Sequence, residues 1–289
     1  MGKKILITGA TGNVGFETIQ SLLKMDQDLD IVAGVRDLTK EKSRFNALAV
    51  NVVAFDFEKE EMFANALEGV SVLFLLRPPQ IADAKKYFQP LIDAAKVARI
   101  EHIVFLSVQG ADKNKVIPHH KIEQIILQSG IPFTFLRPAY FMQNFLTTLK
   151  KDLVEKNEIY LPAGKAKFTI VDLVDVGEVG ARILLNPEKH INQAYGLTND
   201  ELLTFGEMAV QLSTALVKKI RFRSPNLVAF FVRKKREGVP SMFILVMIML
   251  HYLPRFSAAP ALSNSIEAIL GRDPGSFREF TNREKENLV

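Results

Sequence analysis

The chain of 289 residues has no cysteine and no tryptophan. Without cysteine there are no disulfides, no thiolate nucleophile and no cysteine-held metal. Five histidines, none in a ligand-spaced cluster such as HExxH, argue against a transition-metal site. Long apolar runs are also missing. Met242 to Leu250 is wholly apolar but far shorter than the roughly 20 residues a membrane span needs. Internal repeats, low-complexity tracts and an apolar leader are absent, so the expected location is the cytoplasm, with no transmembrane segment. The net charge of +5 is mild and its basic residues are scattered, which excludes a nucleic-acid reader.

What is present begins at the N-terminus. Lys3–Thr8 reads as a strand, Gly9-Ala10-Thr11-Gly12-Asn13-Val14-Gly15 as a turn, and Phe16, Ile19, Leu22 and Leu23 as the apolar face of a helix. A second strand, Asp30–Val35, ends on Arg36. Strand, glycine turn, helix and strand make a nucleotide-binding βαβ unit. The spacing is GxxGxxG, with Gly9, Gly12 and Gly15 letting the backbone approach a pyrophosphate and the first helical amides meet its charge. Arg36 stands where a guanidinium accommodates the 2′-phosphate of NADP(H), and it favours that cofactor over NAD(H); Asp37 beside it would serve NAD(H) instead.

Asn51–Phe55 is a third strand, closed by Asp56 and Phe57. Asp56 is placed either to bond an adenine amino group, with Phe57 beside the ring, or to cap a helix over 58–67. Val70–Leu76 is a continuous apolar run, as for a central parallel strand, and ends on Arg77-Pro78-Pro79. A helix over 81–99, a strand at His102–Leu106, Ser107, a helix over 119–129 and a strand at Phe133–Leu136 follow. Six strand signals alternating with helical ones, without hairpins, predict an α/β fold: a Rossmann-type doubly wound parallel sheet with a smaller, mostly helical C-terminal substrate lobe. The expected division is a nucleotide-binding domain over 1–155, to which 169–200 contributes, and a lobe over 201–289, with 156–168 adjoining it. Residues 221–262 are aromatic and basic, and read as a packed helical wall or a homodimer surface rather than a membrane-surface helix.

These motifs resemble the NmrA-like, atypical short-chain dehydrogenase/reductase family. The resemblance rests on the glycine turn, Arg36, Arg77-Pro78-Pro79, Ser107 with Gly110-Ala111, His119-x-x-x-Glu123, Ser129-Gly130, and Leu136-Arg137-Pro138 with Phe141-Met142-x-Asn144. It continues through Gly271-Arg272-x-Pro274 and Phe277-Arg278-x-Phe280. It implies that Thr11, Asn13 and Val14 contact the phosphates, that Arg36 takes the 2′-phosphate, and that Leu76, Arg77, Pro78, Ser107, Pro138 and Phe141 surround the nicotinamide and its ribose. No flavin and no metal are implied. The family holds both quinone-reductase-like enzymes and NADP(H)-sensing regulators without catalysis.

Ordinary short-chain dehydrogenases use a Tyr-x-x-x-Lys pair that this helix lacks; His119 and Glu123, at i and i+4, occupy its place. A histidine oriented by that carboxylate would relay a proton near neutral pH, or the pair would be structural. Tyr140 is the other candidate proton donor. The expectation is an NADPH-dependent reductase of a small apolar acceptor, a quinone or enone, with a redox sensor as the alternative.

Overall fold

The computed structural model describes residues 3–26 and 28–288. In chain order its elements begin with β1 (Lys4–Ile7), α1 (Asn13–Met25), β2 (Asp30–Val35), α2 (Leu38–Asn46), β3 (Asn51–Ala54) and α3 (Phe63–Ala66). Then come β4 (Val72–Leu76), α4 (Ala84–Val97), β5 (His102–Leu106), α5 (Pro118–Ser129), β6 (Phe133–Pro138), β7 (Tyr140–Phe141), α6 (Lys150–Lys156), β8 (Glu158–Tyr160) and β9 (Lys167–Val171). The chain closes with α7 (Leu173–Leu185), β10 (Gln193–Leu197), β11 (Leu202–Thr204), α8 (Phe205–Leu216), β12 (Arg221–Arg223), α9 (Leu227–Arg236), α10 (Ser241–Tyr252), α11 (Ser265–Leu270) and α12 (Phe277–Arg283).

Two compact units result. The first comprises 1–138, 173–197 and 265–272, and the second 139–172, 198–264 and 273–289. The first unit therefore ends its N-terminal run at Pro138, ahead of residue 155, because 139–172 packs with the later chain.

The first unit holds a seven-stranded sheet in the order β10-β6-β5-β4-β1-β2-β3, every pair parallel. This is the doubly wound α/β arrangement, extended by β10. Both sheet faces are covered, so the central strands carry no polar alternation. Leu73, Leu75, Ile103 and Phe105 pack beneath Phe88, Leu91, Ile122 and Ile126 of α4 and α5. Phe74 and Val104, one residue out of phase, are equally buried. α1 lies along α7, where a Cβ on Gly177 would stand 2.7 Å from Glu17 Cγ. The expected helix over 58–67 is instead a 3-10 turn, Glu60–Met62, leading into α3, because Asp56 holds the preceding amides in a turn.

The second unit contains the three-stranded sheet β11-β9-β7 and the pair β12-β8. Its core gathers Phe145, Phe205, Phe230, Ile244, Phe277 and Phe280, all fully buried. An ion network ties α6 to α9: Arg233 and Lys234 donate to Asp152 at 2.7 and 2.5 Å, and Lys234 also to Glu237 at 2.9 Å. Among the described residues no helix is long and apolar enough to cross a membrane, and no cluster suits a metal ion.

Candidate functional site

The β1–α1 turn is built on three glycines that do different work. Gly9 has φ +59°, a conformation L side chains rarely adopt. The Gly12 amide donates to the Gly9 carbonyl at 2.9 Å and closes the turn. Gly15 faces the turn so closely that a Cβ would sit 2.5 Å from Gly9 O. Gly12 is the N-cap of α1; no side chain caps the helix and no acidic residue lies in its first turn. Thr11, Gly12 and Asn13 are exposed, Val14 and Gly15 buried. The first helical amides and the positive end of the helix are thus left for an anion.

Arg36 stands exposed, one residue past β2. Asp37 is its neighbour, but Asp37 Oδ1 accepts the Lys40 amide at 3.1 Å and caps α2. Glu41 lies 3.7 Å from Arg44. Among the described residues Arg36 makes no ion pair. Two residues past β3, Asp56 Oδ1 accepts the Glu58 amide at 3.1 Å in a turn and caps no helix, since the 3-10 turn that follows starts from Lys59. Phe57 is corrected outright: its ring is 4% exposed and packs edge-on to Phe55 and against Phe88, each at 5.0 Å. The apolar core draws it inward, away from any adenine.

At the carboxyl ends of β4 to β6 the side chains form two clusters. Thr8, which the sequence did not single out, accepts the Leu76 amide (2.8 Å) and donates to the Phe74 carbonyl (3.2 Å), fixing β1 to β4 beside the glycine turn. Leu76 is buried there, and a Cβ on Gly9 would meet its own Cβ at 3.3 Å. Arg77 turns into its own loop: Nη1 donates to the carbonyls of Pro78, Pro79 and Ile81 at 3.1, 3.1 and 2.6 Å. Its Nε–H donates to His119 Nε2 at 3.3 Å. That bond assigns the His119 proton to Nδ1. Burial, with the Arg77 charge beside it, lowers the His119 pKa to about 4, so the ring is neutral at pH 7.

The expected His119–Glu123 pair does not form. Glu123, 1% exposed, accepts Ser107 Oγ at 2.6 Å and a bidentate pair from Arg137, Nε at 3.0 Å and Nη2 at 2.7 Å. A guanidinium in fork geometry satisfies both carboxylate oxygens, which an imidazole one turn away cannot. The partnership holds Arg137 above its ordinary pKa through the Glu123 hydrogen bond. Ser107, in the position of the usual catalytic serine, is thereby tied to a buried ion pair. Arg137 was missed as a partner; its signal was a lone charge inside Phe133-Thr134-Phe135-Leu136-Arg137-Pro138. His120 Nδ1–H donates to the Ala111 carbonyl at 2.8 Å, which ties that ring to the 107–112 loop. Pro138, buried at the end of β6, accepts the Gln109 amide at 2.9 Å.

Tyr140 and Phe141 belong to the second unit, both half-buried in β7. The Tyr140 ring lies edge-on to Phe205 at 5.7 Å and tilted against Phe168 at 6.1 Å. His251 Nδ1–H donates to the Met247 carbonyl (2.6 Å), which leaves Nε2 to accept the Tyr140 hydroxyl at 3.3 Å. Burial lowers the His251 pKa to about 4 and raises that of Tyr140. A phenol so placed is a weaker acid than a free one, and its proton already has an acceptor.

Comparison with known proteins agrees with this architecture. A model of the NmrA-like family matches residues 1–244. The NAD(P)H azoreductase of Xenophilus azovorans is 30% identical over 280 residues, 96% of each chain. Quinone oxidoreductase 2 of Escherichia coli is 28% identical over 239 residues, 82% of each chain. Among solved structures, the triphenylmethane reductase of Citrobacter sp. complexed with NADP(H) has a TM-score of 0.87 at 26% identity, covering 98% of this chain and 99% of that one.

Proposed function

The chain belongs to the NmrA-like family, and from that premise we propose that it is an NADPH-dependent reductase of small apolar acceptors, with quinones or enones as the substrate class. The observation that carries the cofactor reading is the pairing of an uncapped glycine turn with an Arg36 that has no ion-pair partner among the described residues, while Asp37 is engaged as a helix cap. Relatives named for NAD(P)H azoreductase and quinone oxidoreductase activity support a reductase.

In this reading Gly9, Thr11, Gly12, Asn13, Val14 and Gly15 receive the pyrophosphate, Arg36 the 2′-phosphate, and Asp56 the adenine edge. Leu76, Arg77, Pro78, Ser107 and Pro138 form the floor for the nicotinamide. The nicotinamide, when bound, supplies a hydride, and one proton from solvent completes reduction of a quinone to its hydroquinone. The residues fit that role: the Gly15 position admits no Cβ, and the carboxyl ends of β4 to β6 are shaped by Arg77 and the Ser107–Glu123–Arg137 cluster. His119 acts as a neutral hydrogen-bond donor through Nδ1–H toward the oxygen that gains charge, not as an imidazolium acid. The second unit carries substrate selection, and Tyr140 a supporting place in its aromatic core.

Fluorescence titration with NADPH and NADH tests the cofactor assignment. The expected result is tighter NADPH binding, with the preference removed in Arg36→Ala; equal affinities in both proteins would refute the role of Arg36.

A further inference from the structure

From residue 238 to 266 the sequence contains no aspartate or glutamate. Within that stretch α10 is apolar on every side, a pattern that ordinarily belongs to a helix enclosed by protein. This helix is not enclosed. Ile244, Met247 and His251 face the core of the second unit, while Met242, Phe243, Leu245, Val246, Met249 and Leu250 are between 40% and 73% exposed. The stripe continues past the helix through Leu253 and Phe256, both exposed. Eight large apolar side chains along one line exceed the scattered exposure that is normal for a soluble surface.

Glu237 apart, the charges that flank the stripe in sequence are cationic. Lys235 Nζ donates to Ser241 Oγ at 3.1 Å, which sets an ammonium at the first residue of α10, and Arg236 beside it is exposed. Arg255 is exposed at the other end, its guanidinium 4.9 Å from the Tyr252 ring centroid. The nearest carboxylate in sequence, Glu237, is neutralised by Lys156 at 2.7 Å, Lys234 at 2.9 Å and Arg233 at 3.1 Å.

An apolar stripe with cations at both ends and no unpaired carboxylate in the stretch complements a surface that is apolar inside and anionic outside. We propose that α10 and the turn after it form a peripheral lipid-docking face: the stripe seats among the upper acyl chains, and Lys235, Arg236 and Arg255 meet anionic headgroups. Twelve residues give about 18 Å of helix against roughly 30 Å of hydrocarbon, so the helix lies on the bilayer and does not cross it. A second copy of this chain is the less fitting occupant, since a symmetric contact through this face would bring the same cations together.

Flotation of the full chain with vesicles tests this. The protein should float with phosphatidylcholine–phosphatidylglycerol vesicles, less with phosphatidylcholine alone, and less at high salt. Leu245→Ser with Leu250→Ser, both at exposed positions, should weaken anionic-vesicle binding on the order of tenfold with an unchanged circular-dichroism melt. Failure to float with either vesicle, or equal binding by the double variant, would overturn the proposal. So would a dimer, seen by size exclusion, that the double variant splits while vesicles bind neither protein. Neither cofactor nor acceptor is needed, so the outcome is independent of the reductase reading.

Discussion

Glu123 decides what its neighbours can do. Both oxygens are taken by Ser107 and Arg137 inside a nearly closed shell. Arg137 is half-buried and keeps Asp112 at 3.8 Å when its main partner is truncated, so Glu123→Ala should cost about 1–3 kcal/mol, read by urea denaturation. A loss under about 1 kcal/mol would mean that Arg137 finds solvent easily. The helical spacing of His119 and Glu123 was legible, but not the partner: Arg137 is fourteen positions further on, on β6, and only the folded sheet brings it near. His119 carries the converse prediction. With its pKa lowered to about 4, it stays neutral from pH 5.5 upward, and quinone reduction should show no titration near pH 6.5 that His119→Asn removes. A wild-type inflection near 6.5 that vanishes in this variant would restore the proton-relay role. Phe57 shows the same limit of local reading, since its ring is drawn into the core by Phe88 of α4, thirty-one positions further on.

Among the elements, the parallel strands were the most legible, because burial on both faces leaves long β-branched and aromatic runs with turns at their ends. The glycine turn was legible for a similar reason, a rare residue at fixed spacing. Less so was the α1–α7 crossing, in which Gly177 and Gly180 of α7 meet Glu17 and Thr18 of α1. A Cβ at Gly177 would lie 3.1 Å from the Glu17 backbone carbon as well as 2.7 Å from its Cγ, whereas at Gly180 the nearest atom is 3.4 Å away. Gly177→Ala should therefore destabilise by about 1–3 kcal/mol through overpacking, while Gly180→Ala should be neutral or gain up to about 1 kcal/mol from helix propensity. Thermal or urea unfolding of the two variants checks this, and equal effects would contradict the crossing. The stretch over 221–262, read from sequence as a packed wall or dimer surface, was only half legible: apolar content located α10, but periodicity could not tell its covered side from its bare one, since both are apolar.

For the whole molecule, two buried histidines and one half-buried one, His119, tie stability to pH. His102, whose Nε2–H donates to Thr134 Oγ1 at 2.8 Å, His119 and His251 all have pKa values lowered to about 4, burial being the main cause. Unfolded histidine titrates near 6.5, so between those values the unfolded chain binds more protons and the folded state loses stability as pH falls. The loss approaches about 3 kcal/mol per histidine by pH 4. Urea midpoints should be level above about pH 7 and drop steadily toward pH 4.5, with a shallower drop in His102→Asn. A midpoint independent of pH over that window would show that these rings are not buried as described.

Catalysis on a bound nicotinamide is measured directly as NADPH oxidation, followed by its absorbance, with a water-soluble quinone in excess over protein. A reductase should make many turnovers per protein molecule, slower with NADH and losing the NADPH preference in Arg36→Ala. Tight NADPH binding with no oxidation by any quinone or enone would contradict it, and would make the chain a sensor of the cofactor instead of a reductase.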